Sequence, residues 1–152
     1  MEQMTDEQFF IRPGELVNPV ALIVKHLAGN FVSRWTDFLT TDGEKPNRDR
    51  DGEFIVRDGD TRVKLMADWE HGWAVLLGAV NALSDEDIDT TIHIRGEPMT
   101  ARVAVLRALT HLAYHVGQIT YLMRLLRPDS SWLSIAPGQS KQHAPSYTRP
   151  AK

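Results

Sequence analysis

From Pro19 to Leu39 the apolar residues Val20, Ile23, Val24, Leu27, Phe31 and Trp35 recur at intervals of three and four. That spacing puts them on one face of an amphipathic helix. Asn18-Pro19 supplies its start, with Asn placed to cap free amides and Pro in the first turn, and Thr41-Asp42-Gly43 supplies the stop. A second helix is predicted from Asp60-Thr61 to about Leu83, with an inward stripe of Met66, Trp69, Trp73, Leu76, Leu77 and Val80. Thr91 to Arg95 alternates and meets Gly96-Glu97-Pro98, which reads as a short extended piece or a hairpin arm. The longest periodic run opens at Thr100 and is closed by Pro128. At the N-terminal end, Met1 to Val17 is broken by Arg12-Pro13-Gly14, and Phe9, Phe10 and Ile11 are placed to tack it onto the body.

Three helices with long apolar faces and no internal repeat predict an all-α bundle. Its domain is expected to span residues 1–135. Beyond Pro128 the chain is rich in Pro, Ser, Gly and Gln. There Trp132, Leu133 and Ile135 could anchor the chain, and 136–152 reads as a flexible C-terminal tail. A length of 152 residues is enough for one domain with a real core. The composition, 42% hydrophobic and 24% charged, is that of an ordinary soluble globular protein.

The net charge of −3 gives no general attraction to nucleic acid or to an anionic membrane. The absence of cysteine excludes disulfides, thiolate nucleophiles and Cys-ligated zinc. Met1 to Glu15 is acidic and lacks the apolar core of a signal peptide. No apolar run approaches the ~18 residues of a membrane span. A cytoplasmic location is expected.

The chemistry begins with Thr110-His111-Leu112-Ala113-Tyr114-His115-Val116-Gly117-Gln118. Four residues apart on a helix, His111 and His115 lie one above the other and can reach a common metal ion. They share a stripe with Ala104, Ala108, Gln118, Leu122 and Leu125, the face a bundle interior would take. Two buried imidazoles side by side both need polar partners, though such a pair also arises by chance in helix cores. A catalytic zinc-type site takes three protein ligands and keeps one position open. His26, at the margin of the first helix's apolar stripe, is the candidate third ligand. A shared ion then requires its side chain to come within about 8 Å of the other two, given metal–nitrogen bonds of ~2 Å. His71, His93 and His143 are read as non-ligands.

Glu70, beside Met66, Trp73 and Leu77, is placed near the inner face, where it could neutralise an arginine, orient a ligand histidine or act as a base. Tyr114 and Gln118 flank the pair and could hold a ring orientation or a water. These three are the candidate catalytic residues. Asp42 to Asp60, dense in Asp, Arg, Glu and Gly, reads most simply as a solvated connector and more sharply as a substrate-facing lid.

Several stretches, in this order and spacing, resemble the DinB/YfiT-like superfamily: Val24-Lys25-His26-Leu27-Ala28-Gly29-Asn30, Ser33 to Leu39, Asp42-Gly43-Glu44-Lys45, Trp69-Glu70-His71-Gly72-Trp73, Ile94-Arg95-Gly96-Glu97-Pro98 and Thr110 to Ile119. The likeness is to an uncharacterised bacterial subgroup and covers most of residues 1–135. It implies a four-helix bundle, often dimeric, in which a histidine triad holds a divalent metal, usually zinc or nickel. Carried onto this chain, the triad is His26, His111 and His115. Characterised relatives include thiol transferases and a thiol-dependent isomerase that use low-molecular-weight bacterial thiols. The departure is at the start, where the first helix is shortened or missing and only Met4 to Phe10 corresponds to its end. An uncovered inner face would be a large apolar patch, so a homodimer is expected.

The expected function is therefore that of a divalent-metal-dependent enzyme, a thiol S-transferase or a hydrolase acting on a small molecule. For thiol transfer, Arg48 or Arg50 in the charged loop could hold the thiol's carboxylates. The alternative is a metal-binding dimeric helical module without turnover.

Overall fold

The structure, a computed structural model, describes residues 1–129 and 131–143. In chain order the elements are α1 (Asp6–Phe10), α2 (Val20–Trp35), α3 (Arg62–Asn81), β1 (Thr91–Ile94), β2 (Glu97–Thr100), α4 (Ala101–Leu126) and α5 (Ser140–His143), with short 3-10 turns at Asp51–Phe54 and Asp87–Asp89. The chain is mostly helical, as its periodicity predicts. No helix among the described residues is long and apolar enough to cross a membrane.

Helix α2 is the axis of the molecule. All six residues of its predicted stripe are buried, and so are Ala21, Leu22 and Ala28 on its other sides. A helix that is apolar nearly all round has to be covered from several directions. Here α1, α3, α4 and the 3-10 turn at Asp51–Phe54 share that work. Its start lies one residue later than predicted, with Pro19 in the N-cap position and no side-chain cap. Its end comes four residues earlier, because Asp37 takes a left-handed φ of 48° that no continuing helix allows. Phe38 still turns inward and packs on Trp35, ring centroids 4.8 Å apart.

Helix α3 begins at the Thr61 cap, whose side chain accepts from the Lys64 amide. It lies very close to α2 at Gly72, where an added Cβ would sit 3.1 Å from both Cα and O of Ala28. The aromatic layer between the two helices is Phe31 against Trp69 and Trp73. Two residues differ from the predicted stripe: Leu77 is exposed and Leu65 is fully buried.

The alternating stretch forms one arm of an antiparallel hairpin, with Ile92 opposite Met99 and Ile94 opposite Glu97. Its two-residue turn, Arg95 (φ 58°) and Gly96 (φ 76°), has the double positive φ that suits the twist of a tight hairpin. The Asp42 carboxylate holds the turn in place by accepting from the Arg95 and Gly96 amides at 2.8 and 2.7 Å. Gly43 also donates its amide to the His93 carbonyl at 2.8 Å. The hairpin and the charged loop therefore form one wall beside α2.

Helix α4 is capped by Thr100, which accepts from the Val103 amide. It buries Ala101, Ala104, Ile119, Leu122 and Met123. Leu125, predicted to share the histidine face, is instead exposed, because it lies more than half a right angle round the helix from Leu122 toward solvent. Past α4, the predicted apolar anchor reduces to Trp132, itself half exposed, whose ring lies under the Arg124 guanidinium at 3.5 Å. Leu133 and Ile135 are exposed. Residues 144–152 of the predicted tail lie outside the described residues.

Candidate metal centre

His26 stands in the middle of α2, buried, and His111 and His115 stand on successive turns of α4. Crossing of the two helices brings together side chains 85 positions apart: His26 Nε2 lies 3.2 Å from His111 Nε2. His115 Nε2 lies 3.1 Å from the same atom. One ligand nitrogen from each ring falls within 4.8 Å of the others. The expected approach of residue 26 is met with a wide margin.

The outer nitrogens decide what those inner ones can do. His26 Nδ1 is 2.8 Å from Glu53 Oε2, and a carboxylate only accepts, so the proton sits on Nδ1. His115 Nδ1 donates likewise to Gln118 Oε1 at 2.8 Å. Both rings therefore aim bare Nε2 lone pairs at His111 Nε2, and a single His111 proton cannot serve the two together. A cation can. Three nitrogens bound tetrahedrally at the 2.0–2.1 Å of zinc–imidazole bonds would be about 3.3 Å apart, close to the two spacings from His111 to its neighbours, with the whole set inside 4.8 Å. The donor set and its spacing fit a divalent metal.

Electrostatics favours the neutral, ligand-ready forms of His111 and His115. Burial, followed by the charges of His115, His26, Arg48 and Arg34, pushes His111 down to about 4. Burial also lowers His115, against the opposing hydrogen bond to Gln118. Glu53 is the buried carboxylate of the site. Burial alone would push it up, but the hydrogen bonds from His26 and Arg48 outweigh that and hold it below the ordinary glutamate range. Arg48 grips it twice, Nε to Oε1 at 2.8 Å and Nη2 to Oε2 at 2.9 Å. The run Arg48–Glu53–His26, an ion pair followed by a hydrogen bond, fixes the ring from behind.

Glu53 can reach His26 only because α2 has a notch. A Cβ on Gly29 would sit 2.3 Å from Glu53 Oε1 and 2.9 Å from its Cδ. Next to the cluster, a cavity of about 240 Å³ is bounded by His26 and His111 on one side and Trp35, Phe38 and Ile92 on another.

A family model covers residues 1–139 of the chain, that of the "Protein of unknown function (DUF1572)". The chain belongs to the DUF1572 family. No curated protein and no solved structure matches it.

In this DUF1572 chain, the three predicted ligands meet and the other candidates divide. Gln118 Oε1 accepts from His115 Nδ1 at 2.8 Å. Tyr114 is exposed, its ring 5.0 Å from that of His115. Glu70 is exposed on α3, not on the inner face as predicted, because α3 turns Leu65, Gly72 and Leu76 inward. His71 and His93 are exposed on α3 and β1.

The charged loop is no mere connector, since it buries Glu53 against α2 and Arg48 beside it. The pairing of Gly29 with Glu53 escaped the sequence reading. Its signal was a glycine in a helix interior, which costs about 1 kcal/mol relative to alanine, three residues after a candidate ligand.

Proposed function

We propose that this chain is a divalent-metal-dependent enzyme built on a DinB-like bundle, with His26, His111 and His115 as the metal ligands and zinc or nickel as the metal. The observation that carries the reading is the convergence of three Nε2 atoms, two of them fixed as lone-pair donors by Glu53 and Gln118. A divalent cation held there would act as a Lewis acid and lower the pKa of a water or thiol at its open position. The protein's own contribution is positioning: Arg48 and Glu53 orient His26, Gln118 orients His115, and burial favours the neutral forms of His111 and His115. Thiol S-transfer and hydrolysis both use such a centre, and the cavity against His26 and His111 gives a small substrate a place to lie.

The exposed side of α4 supports the second half of the proposal, a homodimer whose partner helix completes a four-helix bundle. Val103, Leu106, Leu109, Tyr114 and Tyr121 are all 42–72% exposed along it. A patch of that kind is uncommon on a soluble monomer. A monomer by light scattering at micromolar concentration would remove this part.

Metal analysis of protein purified without a histidine tag tests the centre. About one divalent ion per chain is expected, and its loss in His115→Ala. Thiol-conjugation, esterase and amidase screens comparing wild type with His115→Ala then test turnover. Activity that disappears with the metal supports the enzyme. A metal-bearing protein inactive in every screen supports the alternative, a metal-binding module without turnover.

A further inference from the structure

The cavity beside the histidines is lined by five arginines, Arg34, Arg48, Arg50, Arg95 and Arg107, in a chain whose net charge is −3. They come from four separate places: α2, the charged loop, the hairpin turn and α4. Among the described residues, only two carboxylates answer them closely. Glu44 accepts from Arg34 Nη2 at 2.8 Å and Arg95 Nε at 3.0 Å, and Glu53 is taken by Arg48. Arg50 meets Asp51 at 3.9 Å, a pair with Asp51 almost wholly in solvent and worth little. Arg107 has, among the described residues, only the Met99 sulfur, at 3.9 Å.

Guanidinium groups in such density repel one another and have to be desolvated, a cost that a protein recovers only with counter-charge. The counter-charge is incomplete in a specific place. Arg48, 4% exposed, has a buried Nη1 with no hydrogen-bond partner among the described residues. Glu44 Oε2 is 3.8 Å from it, beyond hydrogen-bond reach. Arg34 Nη1 is buried without a partner in the same wall. Arg34 and Arg48 thus carry donor capacity that Glu44 and Glu53 do not use, Arg50 and Arg107 are weakly paired, and the planar fork of arginine matches carboxylate and phosphate oxygens.

We infer that the cavity is a subsite for a small dianion, carrying two carboxylates or one phosphate monoester. The anionic end lies among the incompletely paired Arg34, Arg48, Arg50 and Arg107. The cavity's shared wall with His26 and His111 directs the other end to the metal centre. At about 240 Å³, below the range of drug-sized sites, it admits a metabolite of a few carbons and excludes polymers. The inference deepens the enzymatic reading and rests on it for the role of the ligand, while the anion site itself stands on the arginines.

The test is calorimetric titration at constant ionic strength with two probes, inorganic phosphate and succinate, against chloride as control. Four proteins are compared, each metal-free and zinc-loaded with excess zinc removed: wild type, Arg107→Gln, Arg50→Gln and Arg34→Lys. Both Gln positions are exposed, so folding is not at stake, and Arg34→Lys keeps the charge and loses the fork. Wild type is expected to bind one of the two dianions with or without zinc. Each Gln variant should weaken binding about tenfold, the order of one lost charge contact of ~1.4 kcal/mol. The probe that binds identifies carboxylate or phosphate.

No binding of either dianion by wild type overturns the inference. So does binding that appears only with zinc and ignores all three arginine variants, which would place the anion on the metal. Metal content, measured separately, tells the two readings apart. A protein that holds zinc and binds no dianion keeps the metal centre and loses this subsite. One that binds dianion and no zinc keeps the subsite and loses the enzyme.

Discussion

Replacing Gly29 with alanine sets two opposed effects against each other within one residue. Alanine in a helix interior is worth about 1 kcal/mol over glycine. Against that, the new methyl would stand 2.3 Å from Glu53 Oε1 and 2.9 Å from Cδ, so the carboxylate must move. Moving a flexible side chain costs little in itself. The expense is what the carboxylate holds: His26 Nδ1 at 2.8 Å and Arg48 at 2.8 and 2.9 Å. Hydrogen bonds to charged groups contribute roughly 1.5–3 kcal/mol each when buried. Even if one survives the shift, the loss exceeds the helix gain, and a net destabilisation of about 2 kcal/mol is expected. For a chain of this size that lowers Tm by roughly 4–8 °C.

The larger effect falls on the metal. A ring no longer fixed from behind typically loses about 10–100-fold in metal affinity. Thermal unfolding of the metal-free protein and a chelator-competition titration with zinc measure the two separately. Gly78→Ala is the control, because nothing lies within 4 Å of its added Cβ, and it should gain about 1 kcal/mol. If Gly29→Ala rises in Tm beside Gly78→Ala and keeps its zinc affinity, Glu53 does not sit behind His26 and the account of the centre is wrong.

Gly72→Ala tests the close approach of α3 to α2. Its Cβ would press on Ala28 backbone atoms at 3.1 Å, which cannot swing away, so overpacking of about 1–3 kcal/mol should cancel or exceed the helix gain. Equilibrium denaturation showing a clear stabilisation would contradict the packing. Asp42→Asn tests the joint between loop and hairpin. The amides of Glu44, Gly96 and Arg95, in that order, hold the Asp42 carboxyl down to about 2. The folded value thus lies below the unfolded 3.8, and its stabilisation is complete above about pH 4 and fades as pH falls toward 2. Wild type should lose stability across that window more steeply than the Asn variant, in thermal melts taken from pH 5 to 2; parallel curves would refute the assignment.

Sequence by itself determined the helices and which faces they bury, because helical periodicity is a local property written in each segment. The stripe Val20, Ile23, Val24, Leu27, Phe31 and Trp35 is buried as read. The i,i+4 spacing of His111 and His115 set their common face before any neighbour was known. His26 as their partner was also legible, as an imidazole on the edge of an apolar stripe. What the chain alone could not state is how a loop returns to a helix. Glu53 and Arg48 belong to a segment whose composition is that of solvent-exposed connectors, and they become buried only because Gly29 leaves room for a carboxylate against α2. Glu70, polar beside apolar neighbours, faces solvent for the opposite reason, since α3 is rotated by its contact at Gly72. The gathering of five arginines from four places around one cavity has no periodicity or spacing to announce it. Charges distant along the chain meet only when the packing of α2 with α4, and the anchoring of the hairpin by Asp42, bring them to one wall.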